Sequence, residues 1–122
     1  MGRADAGPPG SRGARAEAIA AEFLASRGLV IVKRNFRTRH GEIDLVARDG
    51  NTLVFVEVRL RSSAGYGGAG ASVTLAKRER LIAASLAYLA ELGHEPPCRF
   101  DAILMDGLDP SRVAWERDVI AC

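Results

Sequence analysis

An α/β fold is what this sequence predicts, and three observations carry it. Residues 14–27 and 73–92 place apolar side chains at helical spacing, and each run stops at a glycine, Gly28 and Gly93. Two runs on either side of Asp49-Gly50 alternate residue by residue, the pattern of a β-hairpin. Two further strand-like segments, 99–105 and 113–120, follow the second helix. The order is helix, three strands, helix, two strands, within a single domain of 122 residues whose 48% hydrophobic content is enough to build a core.

The first helix, expected from Ala14 to Arg27, carries Ile19, Ala20, Phe23 and Leu24 on its apolar stripe, with Glu17 at the stripe's edge. A strand from Leu29 to Arg37 comes next. Within the hairpin, Glu42, Asp44 and Val46 alternate against Ile43, Leu45 and Ala47. On the partner strand, Val54, Val56, Val58 and Leu60 form one face; Leu53 and Phe55 open the other, which then becomes charged at Glu57, Arg59 and Arg61. Residues 62–72 are rich in glycine and are expected to be a mobile loop, with Tyr66 an ordinary loop tyrosine or a base-stacking one. Helix 2, expected over 73–92, offers Leu75, Ile82, Leu86 and Leu89 to the core. Phe100, Ala102 and Leu104 then alternate against Asp101, Ile103 and Met105, and Val113 to Ile120 is expected to form a last edge strand with Trp115 as an anchoring aromatic.

The charged face of the hairpin is the chemically informative feature. A two-residue Asp49-Gly50 turn sets Asp44 across from Phe55 and Glu42 across from Glu57; a four-residue loop, 49–52, sets Asp44 directly opposite Glu57. Either even loop leaves Asp44 and Glu57 on one face, and only an odd loop or a bulge separates them. Two neighbouring carboxylates repel unless a proton or a cation lies between them. Mg²⁺ or Mn²⁺ is the natural cation, since a hard divalent ion accepts one or two carboxylates and completes its shell with water and phosphate oxygens. Arg59 points to the same side as Glu57, where a fixed cation can hold phosphate or stabilise developing charge. The competing reading is a solvated cross-strand ladder of ion pairs among Glu42, Asp44, Glu57, Arg59 and Arg61.

GEID at 41–44, the hairpin, and VFVEV at 54–58 followed by Arg59 and Arg61 resemble the YraN-like family of uncharacterised bacterial proteins. Glu17 within ARAEAIAAEFL, RNFR at 34–37, VTLAK at 73–77 and RFD at 99–101 extend the resemblance over most of the chain. That family is similar in fold to Holliday junction resolvases and restriction endonucleases of the PD-(D/E)xK kind. The resemblance therefore implies a restriction-endonuclease-like central mixed β-sheet flanked by helices. It also implies acidic metal-site roles for Glu17, Asp44 and Glu57, and a site role for Lys77. Two positions depart from the family's pattern: Arg59 stands where such nucleases have lysine, and Ala16 where the family has glycine. Lysine can shed a proton when desolvated, but arginine remains a fixed cation, so electrostatic stabilisation survives the exchange while a lysine-base mechanism does not. With fifteen arginines to two lysines, the exchange also fits the chain's general composition.

Net charge is only +2, but the first forty residues hold eight basic side chains against three acids, and residues 91–122 hold three against seven. Lys33, Arg34, Arg37, Arg39 and His40 cluster just before the carboxylates, and with Arg61 they form the expected track for a phosphate backbone, DNA being the favoured polymer. A solvated, arginine-rich strand is the alternative. Residues 1–13 read as a disordered lead-in to a domain over 14–122; they lack the apolar segment of a secretory signal, and a cytoplasmic location is expected. No apolar run approaches the ~20 residues of a membrane span. Cys98 and Cys122 with His40 and His94 are too scattered for zinc or a disulfide framework, and no phosphate-binding GxxxxGK[ST] loop occurs. The expected function is metal-dependent cleavage of a nucleic-acid phosphodiester, with room for a homodimer. The alternative is a non-catalytic nucleic-acid-binding or adaptor protein on the same fold.

Overall fold

A computed structural model describes residues 12–61 and 75–120. It contains α1 (Arg12–Ser26), β1 (Val30–Thr38), β2 (Gly41–Asp49), β3 (Thr52–Arg61), α2 (Leu75–Leu92), β4 (Cys98–Asp106) and β5 (Val113–Glu116). The five strands form one sheet in the order β1-β2-β3-β4-β5. Every neighbouring pair is antiparallel except β3 and β4, which run parallel and are joined through α2. This is the mixed sheet expected from the sequence. The 62–72 loop with Tyr66, most of the 1–13 lead-in and Cys122 lie outside the described residues; residues 12 and 13 open α1.

Each face of the sheet carries one helix. Ala16, Ala20, Ala21 and Leu24 of α1 pack on Leu45, Ala47, Val54, Val56, Ile103 and Met105. On the opposite face Leu81 and Ala84 of α2 pack against Phe36, Ile43, Val46, Leu53, Phe55 and Phe100. Small alanines on α1 let that helix lie close to the sheet, whereas α2 sits on a ring cluster: Tyr88 meets Phe36 at 5.2 Å and Phe55 at 6.0 Å, edge to face in both cases. The first helix ends as expected at Gly28, where the N–H groups of Gly28 and Leu29 return to the carbonyls of Ala25 and Leu24. A φ of 95° makes glycine the residue for that position.

Four sequence expectations need correction. Leu75 and Leu86 are 66% and 61% exposed, so they are not core residues. The buried stripe of α2 runs instead through Leu81, Ala84 and Ser85 toward Tyr88, because the aromatic cluster on the sheet fixes which side of the helix faces inward. The hairpin turn is Gly50-Asn51 rather than Asp49-Gly50, with Asp49 paired to Thr52, which is the register of the four-residue-loop alternative; its pairs end at Leu45↔Val56, one step short of Asp44 and Glu57. The last strand stops at Glu116 because Asp118, at φ 59°, turns the chain and donates its N–H to Asp101. That turn carries Ile120 to the α2 side of the sheet.

The fourth correction concerns β2 itself. Leu45 and Ala47 face α1, yet Ile43 faces α2 together with Val46, so strict alternation fails at Asp44. On β1 the same reversal occurs across from it, at Asn35, whose φ is 54°. The ladder passes from Arg34↔Leu45 to Phe36↔Ile43 and skips the step at which Asn35 faces Asp44. Both strands therefore rotate by one side-chain position at that level, which delivers Phe36 and Ile43 to the α2 core.

Candidate metal and phosphate site

Asp44 lies where β2 and β3 part. Their paired register extends to Leu45↔Val56, while β3 continues to Arg61 alongside β4. The Asp44 carboxylate enters this fork and accepts the Val58 N–H through Oδ2 at 2.8 Å, providing a partner for a backbone donor where the ladder stops. Burial, and next the negative charge of Glu57, push the Asp44 carboxyl up from 3.8 to about 7; Glu17 and Glu42 add to the repulsion and the Val58 N–H opposes it.

Glu57 alternates with Val56 and Val58, which face α1, and so belongs to the α2 side, where Lys77 approaches it. Lys77 Nζ stands 3.5 Å from Glu57 Oε2, with the Glu57 side chain 17% exposed and Lys77 51% exposed. Lys77 is in the first turn of α2, and that end of the helix is drawn tight against β2 by Gly41. A Cβ on Gly41 would fall on the Arg80 backbone, only 2.6 Å from its carbonyl carbon, so the helix approach depends on the absence of a side chain there.

Glu17 reaches toward the site from α1 and accepts a hydrogen bond from Asn35 Nδ2 at 2.8 Å. Burial raises its pKa, against the lowering effects of Asn35, Arg37 and Arg34. Of the residues expected from the sequence, Glu57 and, more weakly, Glu17 act through their charges on Asp44, and Lys77 pairs with Glu57. Among the described residues, no three Asp, Glu, His or Cys side chains form a ready-made metal cage. The carboxylates that would hold an ion are the pair Asp44 and Glu57, with Glu17 acting on Asp44 as a neighbour. This suits Mg²⁺ or Mn²⁺, which retain waters, better than a four-ligand structural zinc site.

The basic cluster occupies the outer strand. Lys33, Arg34, Arg37 and Arg39 are exposed on or just beyond β1, and Arg37 pairs with Glu42 at 3.6 Å in a solvated contact. His40 lies in the exposed β1–β2 turn, with its N–H donated to the Thr38 hydroxyl. Arg34 and Arg37 come near enough to influence Glu17. Arg59 lies on β3 next to Leu104 of β4, and Arg61 ends the strand beside Asp106. No helix among the described residues is long and apolar enough to cross a membrane.

A second polar cluster is structural. Asp101 is fully buried, accepts both Arg99 Nε and Trp115 Nε1, and also receives the Asp118 N–H. It ties β4, β5 and the turn after β5 together. Asn35, Gly41 and the Val58 N–H were missed as site-forming groups by residue-type reasoning. Only the placement of Asn35 inside RNFR, in a segment otherwise read as a strand, offered a signal.

Comparison with known proteins places this geometry in a family context. A family model described as the uncharacterised protein family UPF0102 matches residues 16–105. A UPF0102 protein from Nitrosospira multiformis is 50% identical over 107 residues, covering 88% of this chain and 90% of the relative. One from Nitrosomonas europaea is 50% identical over 111 residues, covering 89% and 92%. One from Cupriavidus necator is 55% identical over 106 residues, covering 85% and 78%.

Proposed function

The chain belongs to the UPF0102 family, whose description assigns no activity, and from its own residues we propose a metal-dependent nuclease acting on nucleic-acid phosphodiester bonds, with DNA as the first substrate to test. The observation that carries this reading is the carboxylate pair at the β2–β3 fork: Asp44 raised to about 7 by burial and by Glu57, with Lys77 3.5 Å from Glu57. Similar charges are brought together there with no apolar reason to do so, and a divalent cation relieves their repulsion.

Asp44 and Glu57 hold the ion. Bound Mg²⁺ or Mn²⁺ supplies a Lewis acid and a more acidic water. Glu17, whose charge acts on Asp44, would serve as an acceptor for a water proton. Lys77, released from Glu57, takes a phosphate oxygen, and Arg59 provides a second fixed positive charge; as a guanidinium it stabilises charge and does not remove a proton. Lys33, Arg34, Arg37, Arg39, His40 and Arg61 track the flanking phosphates, so affinity should fall steeply with salt.

The test is cleavage of end-labelled linear, single-stranded and four-way-junction DNA in Mg²⁺ and in Mn²⁺. Products from the wild type that disappear in EDTA, in Asp44→Asn and in Glu57→Gln support the reading; products that persist in both variants overturn it. One observation favours a second reading: Arg59 occupies the position where the similar nucleases have lysine. A non-catalytic DNA-binding protein on this fold would retain salt-sensitive binding in EDTA and release no products under any metal.

A further inference from the structure

The backbone reversal at Asn35 serves no core-packing need that only asparagine could meet. Glycine would adopt φ 54° at least as readily, and aspartate also tolerates this region. What asparagine adds is an amide N–H₂, and that group is spent on Glu17 Oε1, 2.8 Å away and eighteen residues earlier in the chain. The reversal occurs opposite Asp44, at the step where the β1–β2 ladder is interrupted. A left-handed residue in mid-strand, an interrupted pair and a directed side-chain bond thus coincide at the level of the carboxylate site. Aspartate would present a like charge to Glu17, and glycine would present nothing.

We propose that Asn35 is a positioning residue for the metal site: its amide holds the Glu17 carboxylate in place near Asp44, where it would accept from a water of a bound ion. The inference rests on the metal-site reading above and deepens it. Arg34 and Arg37, on either side of Asn35 in the chain, supply positive charge near the same carboxylate, so the RNFR segment acts on Glu17 as a unit. The Asn35 side chain leaves one Glu17 oxygen for that water, because a carboxylate has two and Asn35 engages Oε1.

Outer-shell partners of this kind are worth roughly 10-fold to 100-fold in metal affinity. The experiment is a double-mutant cycle read by Mn²⁺ calorimetry, with wild type, Asn35→Gly, Glu17→Gln and the double variant, each first checked for an unchanged thermal transition. Asn35→Gly tolerates the same φ and removes the side chain with its amide. The expected result is a roughly 10-fold weaker Mn²⁺ affinity in each single variant, with the double variant no weaker than either. Asn35→Asp, which keeps the size and the conformational tolerance, is expected to bind at least as weakly as Asn35→Gly. Wild-type affinity in a folded Asn35→Gly protein, or losses that multiply in the double variant, would overturn the role of Asn35 and leave the metal site standing. Mn²⁺ binding by the wild type that survives Asp44→Asn would remove the metal site itself and the inference with it.

Discussion

Replacing Asp44 by asparagine should stabilise the metal-free protein, and the gain should depend on pH in a defined direction. The folded Asp44 carboxyl titrates at about 7 against an ordinary 3.8, chiefly because of burial and secondly because of Glu57. Below pH 4 the group is protonated in both folded and unfolded chains and costs nothing. As pH rises to 7 the unfolded chain releases this proton freely while the folded chain retains it, and stability is lost progressively until the folded group also ionises. A difference of roughly three pH units corresponds to about 4 kcal/mol at about 1.4 kcal/mol per unit. Local water and side-chain movement make that an upper bound, and roughly 2–4 kcal/mol is the expected range at pH 8. Asparagine keeps an oxygen to accept the Val58 N–H but carries no charge. Urea unfolding of both proteins at pH 4, 6 and 8 reads the effect. The midpoints should nearly coincide at pH 4, and the variant should be higher by about 1 M or more at pH 8. Equal midpoints at pH 8, or a gap that is the same at pH 4, would show that no strained carboxylate pair exists at the fork.

Other substitutions test the frame that holds the site. Gly41→Ala drives a Cβ into the Arg80 backbone and should cost at least about 2 kcal/mol in a urea titration; an unchanged midpoint would show that α2 does not approach β2 this closely. Leu81→Ala, at a 3% exposed position, should cost about 2–4 kcal/mol, whereas Leu86→Ala, 61% exposed, should stay within about 0.5 kcal/mol. Similar losses at both positions would restore the helix face that spacing alone suggests. Asp101→Ala removes the partner of Arg99, Trp115 and the Asp118 N–H and should cost about 3 kcal/mol. The change should also shift Trp115 emission; wild-type emission with wild-type stability would remove Asp101 from its joining role.

Much of this architecture was legible in the residues because local signals agreed with tertiary need. Gly28 and Gly93 stop the two helices at positive φ, and the alternation of β3 separates Val54 and Val56 from Leu53 and Phe55 as the two cores require. Asp44 and Glu57 were legible as a pair because a charged patch on an otherwise apolar strand calls for an explanation. The face of α2 was not legible. Leu75 and Leu86 satisfy helical spacing as well as Leu81 does, and the choice between them is made by Phe36, Phe55 and Phe100 on distant strands. Nor was the crossing at Asn35 and Asp44 legible, since period-two reasoning assumes that a strand keeps its faces. The end of β5 depends on a buried Asp101 capturing the Asp118 N–H, a contact between positions seventeen residues apart that no window of sequence displays.

The carboxylate pair is most directly tested by Mn²⁺ titration calorimetry at pH 7.5 on the wild type, Asp44→Asn and Glu57→Gln, with circular dichroism to establish that all three remain folded. One Mn²⁺ bound by the wild type, with binding lost in both folded variants, is the expected result. Mn²⁺ bound equally by all three would place the ion elsewhere on the molecule and contradict the assignment of Asp44 and Glu57 as its ligands.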